Sequence, residues 1–193
     1  MKISHFKLAL VSVFIILDAC SKQNPELIIQ TESGEITVEL YMDKAPVTAL
    51  NFLSYIDKGI YKNASFYRTV TLNNQPVNPV KIEVIQGGLF ENDSLNVPIF
   101  HETTARTGIL HKDGVISMAR LEPGTASTEF FICIGDQPEL DFGGLRNPDG
   151  QGFAAFGQVV KGMDIVREIH NNPAQNQYLT PTIQIFNIIH NKD

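Results

Sequence analysis

Short alternations of apolar and polar side chains, each cut off by glycine or proline, constrain this chain more than any other feature. Over 35–41, Ile36, Val38 and Leu40 alternate with Glu35, Thr37 and Glu39, the period of a strand with one buried face. A second apolar run at 27–31 faces it across Ser33-Gly34, which predicts a hairpin. Further short β-rich runs fall at 65–70, 81–86, 115–119, 129–135, 153–160 and 182–189. Helical spacing occurs twice. Pro46 and Gly59 bracket Ala49, Phe52, Leu53, Ile56 and Ile60, and 164–170 carries Ile165, Val166 and Ile169. Many short strands with two helices predict a mainly β fold, a barrel or sandwich whose openings the helices cover. In 129–135, strand period puts Phe130, Ile132 and Ile134 on one face and Glu129, Phe131 and Cys133 on the other. The same rule puts Val84 and Gln86 together.

The N-terminus reads as an address. Basic Lys2 and Lys7 precede an apolar run at 8–17 and then Leu17-Asp18-Ala19-Cys20. That run is too short to span a bilayer. It is similar to a bacterial lipoprotein signal, which implies cleavage before Cys20 and lipidation of its thiol, although Asp18 is unusual in such a box. An ordinary cleaved signal and an uncleaved anchor are the alternatives. Ser21, where Asp would suggest retention in the inner membrane, points by analogy to the outer membrane. The expected organisation is a signal peptide at 1–19, a tether at 20–26 and one domain at 27–190. The domain would be periplasmic and would meet membrane only through the lipid.

Charge and thiols exclude other classes. With 15 Lys and Arg against 21 Asp and Glu, the net charge is −6, and an acidic body with no basic stripe argues against nucleic acid. Cys133 is the only thiol besides Cys20, so no internal disulfide or multi-cysteine metal site is expected, and it reads as a core residue. Nothing signals an oligomer, so a monomer is expected.

Four segments in order carry a family likeness. They are Phe66-Tyr67-Arg68; Ile85-Gln86-Gly87-Gly88; Gly114-Val115-Ile116-Ser117-Met118-Ala119 leading to Glu129-Phe130-Phe131-Ile132; and Phe156-Gly157-Gln158-Val159-Val160-Lys161-Gly162-Met163. Over nearly all of 27–190 the chain resembles a cyclophilin. The resemblance implies a closed eight-stranded antiparallel β-barrel capped by two α-helices, with a substrate groove on its outer face. It also implies peptidyl-prolyl cis/trans isomerisation of proline-containing polypeptides, with neither cofactor nor metal. Arg68 matches the family's catalytic arginine and Gln86 its glutamine. Phe131, Met118 and Leu140 match the proline pocket, with Val84 where a Met is usual. Ala119 and Arg120 fall on a substrate-backbone contact, Arg120 being either a selectivity element for acidic residues near the proline or a solvated charge.

Several positions depart from the family. Glu129 replaces a glutamine and is expected to clamp Arg68, because an ionised carboxylate only accepts hydrogen bonds. Phe153 replaces a His or Tyr and closes the proline pocket as an apolar wall. Glu83 replaces a groove Phe. Glu139 replaces an aromatic ring, which predicts weak binding of cyclosporin. The segment 71–80, with Pro76 and Pro79, lengthens the connection between Arg68 and Gln86; it either gates the groove or is tolerated surface. Asn147 and Asp149 suit a solvated turn better than a calcium site, and His101 and His111 read as structural. Three functions follow: an isomerase assisting the folding of exported proteins, a peptide-binding or chaperone module with little turnover, or a scaffold or adhesin.

Overall fold

A computed structural model describes residues 24–90 and 97–191. Strands β1 (Glu26–Thr31) and β2 (Gly34–Leu40) form the expected hairpin, with the Thr31 hydroxyl donating to the Gly34 carbonyl at 2.7 Å. Next come α1 (Pro46–Asp57), β3 (Ala64–Val70), β4 (Val84–Gly88), α2 (Thr104–Thr107), β5 (Val115–Met118), β6 (Phe130–Cys133), β7 (Ala154–Lys161), α3 (Met163–His170), β8 (Ala174–Gln175) and β9 (Tyr178–His190). Antiparallel pairing in the order β1-β2-β7-β5-β6-β4-β3-β9, with β9 returning to β1, closes eight strands into a barrel. Among the described residues the two-residue β8 pairs only with β9.

Helices α1 and α3 are the two that the spacing predicts, and α2 is an additional single turn. From α1, Phe52 enters the barrel and meets Tyr61, Phe130 and Phe156 at ring separations of 5.1, 5.4 and 5.1 Å. Burial of one such ring contributes about 1.5–3 kcal/mol. Val166 and Ile169 of α3 are fully buried in the same interior cluster. The start of α1 has no side-chain cap of its own, because Ala45 stands there. Glu102 supplies the cap from far along the chain. Its carboxylate accepts the Val47 N–H at 3.2 Å and the Thr48 N–H and hydroxyl at 2.8 Å each, so the buried charge is hydrogen-bonded at the positive end of the helix.

Strand alternation divides the apolar residues into two clusters. Phe66, Ile85, Ile116, Phe130 and Ile132 point into the barrel. Val70, Val84, Phe131 and Cys133 point out, where they join Ile82 and Leu140 in a second cluster with Ala119 and Phe153 against it. This outer patch is the floor of the site. Cys133 is fully buried within it, and burial followed by the charge of Asp141 pushes its thiol well above the usual range.

β4 and β9 differ most in extent from the pattern. β4 starts at Val84 rather than at residue 81, because the Gln75 side chain takes up the Ile82 backbone, donating to its carbonyl at 2.8 Å and accepting from its N–H at 3.3 Å. The strand instead continues through both glycines. A Cβ on Gly87 would lie 2.8 Å from the Phe66 ring, and one on Gly88 would collide with the Glu129 carboxylate. β9 starts at Tyr178, ahead of Pro181. Proline is tolerated because the register skips it: Phe66 pairs with Ile183, and Arg68 with Tyr178.

Candidate active site

A groove of about 280 Å³ opens over the outer cluster, walled by Val84, Ala119, Phe131, Leu140 and Phe153, with Arg68 and Gln86 at its edge. Phe131 and Phe153 meet edge to face at 5.3 Å, which makes a water-poor corner suited to a small apolar ring. Leu140 reaches it from the short 3₁₀ turn Pro138–Leu140.

A bulge in β3 builds the polar edge. Phe66 pairs with Gly87 and Arg68 with Gln86, and the register shifts between them, so Tyr67 and Arg68 lie on the same outer side. Arg68 donates through Nη1 to Gln86 Oε1 at 2.8 Å. It also donates through Nε and Nη2 to Gln177 Oε1, at 3.0 and 2.6 Å. Gln86 Nε2 donates to the Tyr67 hydroxyl at 2.6 Å, and that hydroxyl donates to Glu129 Oε2 at 2.5 Å. Burial and then the Glu129 charge raise the Tyr67 phenol far above its usual value, so it remains a donor. Burial lowers Arg68 from the usual arginine value, without removing its charge near neutrality.

Three expectations change. Glu129 does not clamp Arg68. It lines no part of the groove and holds Tyr67 together with the Leu89 N–H at 2.8 Å, because the bulge brings Tyr67 between it and the arginine. Met118 is not a pocket wall. It pairs with Phe130 while Ser117 pairs with Phe131, so Met118 faces the barrel interior and is fully buried there. Arg120 lines the groove but is neither solvated nor free to select. Its side chain is 1% exposed and pairs with Asp149 at 2.7 Å; Nε donates to the Gly152 carbonyl at 2.9 Å, and the guanidinium lies 5.2 Å from the Phe153 ring centroid. It fastens the loop before β7 and backs the apolar wall. Asp149 is thereby committed to an ion pair, and among the described residues no three His, Cys, Asp or Glu side chains gather as a metal site.

The insertion 71–80 is fastened at both ends of the groove. Gln177 Nε2 donates to the Asn74 carbonyl at 3.0 Å, and Arg146 Nη1 donates to Gln75 Oε1 at 2.8 Å and to the Val80 carbonyl at 2.6 Å. Neither Gln177 nor Arg146 stands out in the sequence. Gln177 sits at φ 74° in the turn between β8 and β9, a conformation uncommon for glutamine. Glu139 accepts the Leu145 N–H at 2.8 Å, and Glu83 gives its backbone N–H to Gln137.

Under Phe131 lies a Ser-His-Asp arrangement. His111 Nδ1 is 2.7 Å from Asp141 Oδ1, its Nε2 is 3.0 Å from Ser117 Oγ, and its ring stacks on Phe131 at 5.9 Å. Ser117 is fully buried, so this trio supports the groove floor and presents no nucleophile. His101 is half-buried and lies 3.2 Å from the Gln151 carbonyl. Cys20 and the whole N-terminal signal lie outside the described residues.

A family model described as cyclophilin type peptidyl-prolyl cis-trans isomerase matches residues 26–189. A peptidyl-prolyl cis-trans isomerase of Acinetobacter baylyi is 33% identical over 172 residues, which span 86% of this chain and 83% of that protein. Peptidyl-prolyl cis-trans isomerase B of Escherichia coli is 35% identical over 144 residues, 72% of this chain and 80% of that one. The solved cyclophilin-type isomerase of Cryptosporidium parvum superposes with a TM-score of 0.71 at 21% identity, covering 88% of this chain and 99% of that one, a likeness of fold.

Proposed function

This chain belongs to the cyclophilin-type peptidyl-prolyl cis-trans isomerase family, and from that premise we propose that it accelerates X-Pro isomerisation in exported polypeptides as they fold. Rotation about the prolyl amide meets a barrier of about 18–20 kcal/mol because the C–N bond is conjugated. A catalyst must therefore favour the twisted amide over the planar one. The twisted nitrogen is pyramidal and carries a lone pair, which a fixed guanidinium stabilises without giving up its proton. The observation that carries this reading is the orientation of Arg68 beside a water-poor corner, through Gln86 on one side and Gln177 on the other. Phe131, Phe153, Leu140 and Val84 would receive the proline ring, and Gln86 shares its amide between Arg68 and Tyr67.

Exchange NMR on a short X-Pro peptide tests the activity: the protein is expected to speed cis/trans exchange catalytically. Equal exchange with and without protein would reject it, and peptide-induced shifts at Phe131 without faster exchange would mark a binding module instead.

Gln177 acts as a positioning residue, since it never reaches the floor where the proline would sit. Gln177→Ala is expected to lower kcat roughly 10- to 100-fold with KM little changed. A change in KM alone would mean that it only shapes binding.

The exported setting rests on the sequence, on Lys2, Lys7, the run 8–17 and Cys20. Prolyl isomerisation takes tens to hundreds of seconds uncatalysed and limits folding wherever it is required, so chains folding beyond the cytoplasm need it as well. Growth with radioactive fatty acid is expected to label the protein at Cys20 and not a Cys20→Ala variant. An unlabelled protein with a free Cys20 thiol would end the lipoprotein reading.

A further inference from the structure

Three arginines line the groove, and their environments differ. Arg120 is neutralised by Asp149. Among the described residues the guanidiniums of Arg68 and Arg146 bond only to neutral oxygen atoms, Arg68 to Gln86 and Gln177, and Arg146 to Gln75 and the Val80 carbonyl. Among the described residues neither takes part in an ion pair. Burial, then the charge of Arg68, lowers Arg146 from the usual arginine value, so the two cations sense each other across the groove.

Both bonds of Arg146 leave from Nη1, which keeps Nε and Nη2 of its planar fork for another acceptor. Asn147, the next residue, lines the same groove, and its Nδ2 is a buried donor with no acceptor among the described residues. Two unneutralised guanidiniums and an amide donor together suit an ionised carboxylate, which accepts from a fork in two parallel bonds. A neutral side chain in that place would leave the positive charge uncompensated.

We propose that Arg146 is a specificity-determining residue that receives the carboxylate of an acidic residue flanking the substrate proline. The inference rests on the isomerase reading and names the substrate class that the groove prefers. Selectivity for acid, which the sequence suggests at Arg120, thereby moves to Arg146, which the insertion 71–80 holds and which has no counter-ion among the described residues.

Exchange NMR on matched peptides with Glu or Gln immediately before, or immediately after, the proline measures affinity and isomerisation rate together. In one of the two pairs the Glu peptide is expected to win by roughly threefold or more. Arg146→Lys should keep part of that ratio, and Arg146→Gln should bring it to about one. Asn147→Asp places a carboxylate at the groove without touching the bonds from Arg146 to the insertion, and it should lower the ratio as well; this covers the case in which Arg146→Gln loosens the insertion. A ratio near one in the unmodified protein, or one that survives Arg146→Gln, overturns the proposal. Should no peptide show accelerated exchange, the isomerase reading falls, and the Glu/Gln ratio of dissociation constants still decides the role of Arg146.

Discussion

Replacing Arg68 with alanine is expected to lower the rate of X-Pro exchange roughly 10²- to 10³-fold, the usual cost of removing one fixed donor from a developing charge. Stability should change little, because Arg68 lies at the groove edge and its partners Gln86 and Gln177 keep other bonds, to Tyr67 and Asn74. Arg68→Lys should recover only a small part of the rate. A lysine ammonium carries charge but has no planar fork, so it cannot reproduce the two bonds to Gln177 and the one to Gln86 at once. The measurement is exchange NMR at saturating protein, with thermal unfolding as the control. A variant within tenfold of the unmodified rate would shift the main burden of catalysis to desolvation in the apolar corner.

Phe130 and Phe131 are neighbours in the chain with opposite duties, and their alanine variants should separate stability from activity. Phe130→Ala removes a ring in contact with Phe52, Tyr61 and Phe66 inside the barrel, so a loss of about 3–5 kcal/mol in denaturant unfolding is expected. Phe131→Ala should cost less stability, since its cluster is smaller and borders the groove. Its main effect should be on exchange, by admitting water to the corner that it forms with Phe153. Equal losses of stability in the two variants would contradict the assignment of their faces.

That assignment was legible in the sequence, because alternation over 129–135 follows directly from strand period. The hairpin and both capping helices were legible as well, from periodicity, and the closed barrel from the four ordered motifs. What escaped was of another kind. The bulge at Tyr67 changes which neighbours share a side, and no composition marks it; for that reason Glu129 meets Tyr67 instead of Arg68. Met118 followed alternation faithfully, and the error lay in extending the groove to the wrong face of β5. Arg120 and Asp149 stand 29 residues apart, and only the fold makes them partners. Gln177 and Arg146 carried no local signal at all.

The bonds that orient Gln177 and Arg146 both run to 71–80, a segment outside the closed sheet. What Gln177 and Arg146 do at the groove is therefore separable from the closure of the barrel, whose strands carry Arg68, Gln86 and Phe131. Rebuilding that one loop would retune what the groove recognises while the barrel stays as it is.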